Sequence, residues 1–405
     1  MAVNLTAKSA KELHTVDGMQ IYAAQAGIKK ADRYDLTLMV LAPSACVAGV
    51  FTQNRFCAAP VQICRQRLNN TSNIRALVIN TGNANAGTGQ SGRDQAEIVC
   101  SAVAQQIGCT PDQVLPFSTG VILEPLPTQK ILAALPKVKP VYWDIAATAI
   151  MTTDTVPKAA SRQVTIDGKT ISVTGIAKGS GMIHPNMATM LSFIATDAAI
   201  NPQLLNRWVK EIADQSFNCV TVDGDTSTND SFIIIATGKS GQPEISEDTQ
   251  ANALAIKNAL LEVAQELAKA MARDGEGASK FITIQVNRAA TVEEARAVAF
   301  SIAHSPLVKT AFFASDANLG RLLCAIGNAG IMDLDPNKVV MFLDNVLVAE
   351  NGGRAELYQE EDGARVMSKP EITIRIDLNR GEEKTTVYTC DLSHEYVSIN
   401  ADYRS

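Results

Sequence analysis

With 405 residues, of which 46% are hydrophobic and 19% charged, and a formal net charge of -6, the chain can bury a large core and is expected to form two domains or lobes. The acidic balance leaves no basic patch for nucleic acid, and the longest apolar runs fall far short of the roughly 18 residues that cross a bilayer. The first twenty residues are polar and charged without an apolar secretory core, so a cytoplasmic protein without a membrane segment is expected.

Three short apolar runs, Leu36 to Leu41, Val47 to Phe51 and Arg75 to Asn80, are separated by turns and predict strands of a sheet covered on one side. A Gly/Asn-rich loop follows. Ser91 to Ile107 then places Ile98, Ala102, Val103 and Ile107 at helical spacing before Gly108 stops it. Within the loop, Gly87-Thr88-Gly89-Gln90-Ser91-Gly92 matches the dinucleotide-binding pattern G-x-G-x-x-G, with Asp112 twenty positions beyond Gly92. The spacing argues against that use. Six residues separate Asn80 from Gly87, whereas the first glycine of the fingerprint directly ends its strand, and Asp112 follows Pro111 at a helix start instead of ending a second strand. A rigid turn near a substrate pocket is the preferred reading; dinucleotide binding through Gly87, Gly89 and Gly92 is the alternative from a different class.

Phe117-Ser118-Thr119-Gly120-Val121-Ile122 is a turn running into a β-branched pair. A threonine hydroxyl and the amide of a following glycine, where no Cβ blocks close approach, can hold a developing oxyanion; a plain turn at a strand start fits the same residues. Pro125 to Leu135 and Tyr142 to Met151 are spaced as helices. The second ends in Thr152-Thr153-Asp154-Thr155, whose hydroxyls and carboxylate suit local capping. Gln163 to Val173 reads as a hairpin turned by Asp167-Gly168, with a strand-like run reaching Ile176.

Lys178-Gly179-Ser180-Gly181-Met182-Ile183-His184-Pro185-Asn186-Met187-Ala188-Thr189-Met190-Leu191 puts glycines and a proline just before a threonine that opens an apolar strand, Met190 to Ala195. A threonine hydroxyl is a weak nucleophile without a neighbouring base. Cutting the chain before Thr189 supplies one, because the freed α-amine, with an ordinary pKa of roughly 8, lies beside its own side-chain oxygen. The same oxygen can make the cut by attacking the Ala188 carbonyl in an N-to-O acyl shift. On spacing alone, a threonine bonding to local backbone at a strand start is the favoured explanation. Lys178, eleven residues upstream, can lower the pKa of such an amine or hold a substrate carboxylate, and it reads equally as a solvated lysine.

Downstream, Asn201-Pro202 caps a helix whose Leu204, Leu205, Trp208, Val209 and Ile212 share one face, and Phe232 to Ala236 is a wholly apolar strand. Between them, Asp223-Gly224-Asp225-Thr226-Ser227-Thr228-Asn229-Asp230 fails the calcium-loop spacing and is expected to be a tight polar loop lining the site. A long helix is predicted over Asp248 to Arg273, leading into Asp274-Gly275-Glu276-Gly277 and a strand, Phe281 to Val286. A carboxylate between two glycines suits a small ligand, or is an exposed turn. Thr291 to Glu294 forms a capping box for a helix through His304. Val339 to Ala349, Glu371 to Leu378 and Thr385 to Leu392 read as strands, and a polar tail ends at Ser405. The eight cysteines show no Cys-x-x-Cys pair, and none of the four histidines lies in a Gly-x-Ser-x-Gly or His-Glu-x-x-His pattern, so disulfide, zinc and serine-triad readings lack local support.

Taken together, Val50 to Asn54, Asn80 to Asn85, Ser118 to Ile122, Thr152 to Thr155, the Lys178 to Leu191 segment, Asp223 to Asp230, Asp274 to Gly277 and Asp316-Ala317-Asn318-Leu319-Gly320-Arg321 stand in the order of the ornithine acetyltransferase family, the ArgJ-type enzymes of arginine biosynthesis, which the chain resembles along its length. Leu319 departs from the aromatic residue many members carry there. The resemblance implies an α/β fold, a layered αββα-type sandwich of the N-terminal-nucleophile-like class with a second α/β lobe. It implies self-cleavage between Ala188 and Thr189 into a 1–188 fragment carrying the oxyanion hole and a 189–405 fragment that includes the second lobe, assembled as a heterotetramer. By the same resemblance Thr189 is the nucleophile, Thr119 and Gly120 form the oxyanion hole, and Thr152, Lys178, Thr189, Glu276, Asn400 and Ser405 bind substrate. The implied reaction moves acetyl from N-acetylornithine to glutamate through an acetyl-threonine, without metal or cofactor. Some members also accept acetyl-CoA as co-substrate, and no residue here decides that. A related aminopeptidase or amidohydrolase, passing the acyl group to water, is the alternative within the same fold.

Overall fold

The computed structural model describes residues 2–70, 73–184, 190–250 and 252–402. Two compact units emerge, a larger one of Ala7–Asn218 and Asp225–Ala268 and a smaller one of Met1–Thr6, Cys219–Gly224 and Lys269–Ser405.

The first part of the chain forms β1 (Met19–Ala24), β2 (Leu36–Leu41), β3 (Cys46–Phe51), α1 (Ala59–Asn70), β4 (Ala76–Asn83), α2 (Gly89–Ile107), β5 (Val114–Val121), α3 (Thr128–Ala134), β6 (Lys139–Pro140), α4 (Trp143–Ala149), β7 (Lys158–Ile166) and β8 (Lys169–Lys178). It continues through β9 (Leu191–Thr196), α5 (Pro202–Asp214), β10 (Ser231–Ala236) and α6 (Ala253–Arg273). In the larger unit one sheet has the order β5-β4-β2-β1-β6 and the other β3-β10-β9-β8-β7. Their inner faces share a buried cluster in which Met39, Ile79 and Phe117 meet Ile176, Phe193 and Ile233. The Phe117 and Phe193 rings stand edge to face at 5.0 Å across the two sheets.

Helices cover both outer faces. Leu36, Leu38 and Val78 pack against Val99, Cys100 and Val103 of α2 and Ile131 of α3. On the other side α5 buries Leu204, Leu205, Trp208, Val209 and Ile212 against β3 and β10, and Leu267 of α6 sits where a Cβ on Gly175 of β8 would meet it at 3.2 Å. The αββα sandwich is the architecture the resemblance implies. Val61 and Cys64 of α1, Trp143 and Ala146 of α4 and Ile150 just past its end enter the same inter-sheet cluster, so these helices plug the open edges between the sheets.

Several boundaries differ from the sequence expectation, each for a physical reason. The first sheet is covered on both faces instead of one, so the apolar face of α2 is set by Ala96, Val99, Cys100, Val103 and Ala104 while Ile98 is half exposed. The Pro125 helix begins only at Thr128. The long helix starts at Ala253, because Asp248 is committed to the Trp208 indole nitrogen at 2.5 Å and to Arg207 at 2.9 Å. Asp167 and Gly168 do turn the β7–β8 hairpin, both with positive φ.

The smaller unit contains β11 (Phe281–Ala289), α7 (Val292–Ala303), α8 (Pro306–Phe313), α9 (Leu319–Gly327), β12 (Val340–Leu343), β13 (Val346–Glu350), β14 (Gly353–Arg354), α10 (Glu360–Met367), β15 (Glu371–Asp377), β16 (Glu383–Cys390) and α11 (His394–Ala401). Its six-stranded sheet runs β14-β13-β12-β15-β11-β16. Ile282, Ile284, Ile372, Ile374 and Ile376 join Val298 and Ile302 of α7 in one core. The run Val339 to Ala349 is two strands and not one, because Asp344, at φ 49°, turns the chain between them. Thr291 caps α7 as expected, but Glu294 accepts from the Ala290 amide and pairs with Arg380, so the reciprocal half of the box is absent. Among the described residues no helix is long and apolar enough to cross a membrane.

Candidate active site

In the larger unit, Thr119 and Gly120 end β5 beside Thr81 and Gly82 of the parallel neighbour β4, where the register shifts at Asn83. Gly120 has a φ of 135°, and a Cβ there would overlap the Gly82 carbonyl carbon and lie 2.5 Å from the Asn83 nitrogen. Only glycine lets the two backbones meet this closely. Thr119 is buried beside it.

A set of buried asparagines holds this corner. Asn80 donates to the Asn83 carbonyl at 2.9 Å and accepts from the Ser118 hydroxyl at 2.5 Å. Asn83 donates to the carbonyls of Glu124 and Pro125 at 3.1 and 3.0 Å. Asn229 donates to the Ala84 and Ser118 carbonyls at 2.6 and 2.8 Å. Each side-chain amide donates to a backbone carbonyl at these irregular strand ends or in the loop that follows.

Asn229 also connects this corner to the second sheet. Two residues later, Ser231 begins β10 in register with Leu191 of β9, and Leu191 is in register with Lys178 at the end of β8. The Ser231 amide donates to the Met190 carbonyl at 2.8 Å. The Thr119-Gly120 turn, the start of β9 and Lys178 therefore lie along one edge of the sandwich. Thr152 joins them through Asp154. The Asp154 carboxylate accepts from the Thr152 amide at 3.0 Å, from the Gly179 amide at 2.7 Å and from Lys158 Nζ at 2.7 Å, with neither charged side chain exposed. Burial alone would raise the Asp154 pKa, but the Lys158 ammonium, and after it Lys178, hold it well below the usual carboxylate range. Thr153 and Ser180 hydroxyls tie the same two segments at 2.7 Å.

Two further expected residues lie in the smaller unit. Glu276 is buried and accepts from the Asn400 side chain at 2.8 Å. Both flanking glycines are required by packing. A Cβ on Gly277, at φ 69°, would lie 2.5 Å from the Tyr396 nitrogen of α11, and one on Gly275 would lie 2.7 Å from Cys390 Sγ. The segment that carries Asn400 forms α11, capped by Ser393, whose hydroxyl also donates to the Gly277 carbonyl at 2.7 Å. Burial pushes the neighbouring Cys390 thiol up to about 11. The cleavage-site pair Ala188 and Thr189, and the terminal Ser405, lie outside the described residues.

The glycine-rich turn after β4 is occupied by the protein's own side chains. Asn85 donates to the Gly92 carbonyl and accepts from Thr88 Oγ1, both at 2.9 Å, and a Cβ on Gly92 would overlap Thr88. Asp112 lies in a single 3-10 turn, Pro111–Gln113, and ends no strand. The loop from Asp225 to Asp230 is likewise spent on structure: Thr52 donates to the Ser227 carbonyl at 2.7 Å and Asn54 to the Thr226 carbonyl at 3.0 Å. Among the described residues no group of three or more His, Cys, Asp or Glu side chains is placed to hold a metal ion.

Sequence reasoning placed Asn229 only within a polar loop lining the site, missed Lys158 and took Asp154 for a local cap. Asp154 does bond locally, accepting from the Thr152 amide two residues before it; its bonds to Gly179 and Lys158 required the fold.

The family model of the ArgJ family matches residues 20–405. The chain is 63% identical over 406 residues to the arginine biosynthesis bifunctional protein ArgJ of Neisseria meningitidis serogroup A, covering 100% of both chains. Among solved structures it is 34% identical to the arginine biosynthesis bifunctional protein ArgJ of Bacillus halodurans, with a TM-score of 0.49 over 52% of this chain and 97% of that one. It is 33% identical to an ornithine acetyltransferase from Mycobacterium tuberculosis in complex with ornithine, with a TM-score of 0.38 over 44% and 97%. The chain belongs to the ArgJ family.

Proposed function

We propose that this ArgJ-family chain moves the acetyl group of N-acetylornithine to glutamate through an acetyl-threonine on Thr189. The chain cuts itself between Ala188 and Thr189, and the 1–188 and 189–405 fragments stay together because both supply strands to the β3-β10-β9-β8-β7 sheet. Thr189 Oγ then attacks the acetyl carbonyl carbon while its own α-amine takes the hydroxyl proton. Thr119 and the Gly120 amide stabilise the oxyanion, which is worth about 10²–10³ in rate per donor. Collapse breaks the C–N bond, and ornithine leaves with the proton from the α-ammonium. The glutamate amine next attacks the ester, releasing N-acetylglutamate and restoring the threonine hydroxyl.

Thr152 and Lys178 bind substrate, Lys178 by holding a carboxylate, and Glu276, Asn400 and Ser405 add contacts. No cofactor or metal takes part, because the acetyl group arrives on an amino acid; acetyl-CoA is a second acetyl donor for N-acetylglutamate synthesis. The working form is a cytoplasmic heterotetramer of two fragments of each kind. The observation that supports this reading is the convergence of Thr119, Gly120, Thr152 and Lys178 on the edge where β9 begins, two residues beyond Thr189 in the sequence.

Intact mass and a denaturing gel of the protein beside Thr189→Ala, followed by an assay of N-acetylornithine with glutamate, test it. Two fragments meeting at Ala188/Thr189 in the parent, one chain in the variant, and N-acetylglutamate formed with each ornithine are expected. A single intact, active parent chain would remove the α-amine as base. Ornithine released with free acetate, and no N-acetylglutamate, would make the enzyme a hydrolase.

A further inference from the structure

We propose that Asp154 is the positioning residue of the substrate site: its buried carboxylate, neutralised by Lys158, locks the Thr152 loop to the Lys178–Gly179 turn. The inference rests on the reading above that Thr152 and Lys178 bind substrate.

Three donors converge on the two oxygens. Oδ2 accepts from the Thr152 amide, and Oδ1 accepts from both the Gly179 amide and Lys158 Nζ. The arrangement needs an ionised carboxylate. An asparagine offers one acceptor oxygen and one NH2, so whichever way it is turned, one backbone N–H faces a donor. Two segments far apart in sequence are thus held on one side chain, each within two residues of a substrate-binding group or beside it. The Thr153–Ser180 contact adds a second tie between them. Lys178 itself closes β8 in register with Leu191, so the carboxylate also fixes how the chain leaves β8 toward the cleavage junction.

Lys158 matters for charge. Both members of the pair are withdrawn from solvent, where either charge left alone would be costly. The loop and the turn held in this way carry the substrate-binding Thr152 and Lys178. Such binding is shared by ground state and transition state, whereas the oxyanion is held by Thr119 and Gly120 on another strand. Loosening the clamp therefore raises KM more than it lowers kcat.

The test compares the parent with Asp154→Asn/Lys158→Met, which removes both charges together, and with Asp154→Glu, which keeps the pairing charge on Lys158 but moves the oxygens outward by one methylene. Melting temperature, extent of self-cleavage, and kcat and KM for N-acetylornithine are read on each. The proposal expects the double variant to melt below the parent, because one backbone N–H then faces the asparagine NH2, and to show KM raised at least tenfold with a smaller fall in kcat, or self-cleavage stalled at the junction; Asp154→Glu shows the same kinetic pattern. A folded double variant with parent-like KM and cleavage overturns it. If the double variant does not fold, Asp154→Glu decides alone, and parent-like KM and cleavage there overturn the proposal. A parent enzyme that does not turn over N-acetylornithine sinks the functional reading itself, before any Asp154 variant is compared.

Discussion

The two units bury their strands differently. In β9 and β10 of the larger unit every residue is buried, whereas in β15 of the smaller unit only Ile372, Ile374 and Ile376 are. The first pattern belongs to a sheet sandwiched between another sheet and helices, the second to a sheet with one covered face. The difference sets the chemistry at the strand ends. Where a strand ends inside the sandwich, every carbonyl and amide must find a protein partner, and Asn80, Asn83, Asn229 and Asp154 supply them. Glu276 and Asn400 sit on a turn and on the last helix, joined by one side-chain bond. Polar substitutions are therefore expected to be costly in the first place and mild in the second.

The sharpest test is Gly120→Ala. The methyl would overlap the Gly82 carbonyl carbon, and a φ of 135° is strained for any residue with a Cβ. Backbone strain of about 1–3 kcal/mol adds to an overlap that β4 relieves only by moving away. Displacing the turn also displaces an oxyanion donor, so kcat is expected to fall about 10²-fold or more, with a lowered melting temperature. Near-parent kcat would mean that this turn is not where the oxyanion forms.

Asn229→Ala comes next. It leaves the Ala84 and Ser118 carbonyls buried without their donor, an expected loss of about 2–6 kcal/mol by denaturant titration, at the usual cost of roughly 1–3 kcal/mol for each orphaned group. Its counterpart in the other unit, Asn400→Ala, removes one donor from Glu276 on a helix whose residues are not buried. About 1 kcal/mol or less is expected there, with the main effect on KM. Equal stability losses in the two variants would erase the contrast between the units.

Legibility in the sequence follows the same division. Leu36–Leu41, Ser231–Ala236 and the Asp167-Gly168 hairpin could be read directly, because unbroken apolar runs and a glycine at positive φ are local signals. The face of α2 could not. Ala96 and Cys100 bury while Ile98 does not, since the sheet underneath admits small side chains along that stripe. Asp344 was a visible turn residue inside Val339 to Ala349, and the apolar pattern hid it. At the site, Thr119, Gly120, Thr152, Lys178, Glu276 and Asn400 were named by family resemblance, while Asn229 and Lys158 act through carbonyls and carboxylates that only the fold brings to them. Which backbone group a buried amide will meet is a tertiary fact, and no spacing rule encodes it.

The mildest effect belongs to the exposed side of the smaller unit. Arg273 donates to both oxygens of Glu371 at 2.8 Å, and Asn4 donates to one of them at 2.7 Å. The Arg273 hydrogen bonds, aided by Asn4, lower the Glu371 pKa to about 2 from an ordinary 4.5. A carboxylate with a depressed folded-state pKa adds stability that is fully present above its unfolded value. That stability is lost as pH falls from 4.5 toward 2. The Glu371 side chain is 41% exposed, so solvent screens the pair and its contribution at neutral pH is expected to stay below about 1 kcal/mol. Glu371→Gln should then melt slightly below the parent at pH 7, with the gap closing as the solution is acidified through this window. A gap that widened on acidification would reverse the sign and show that protonation of Glu371 stabilises the fold.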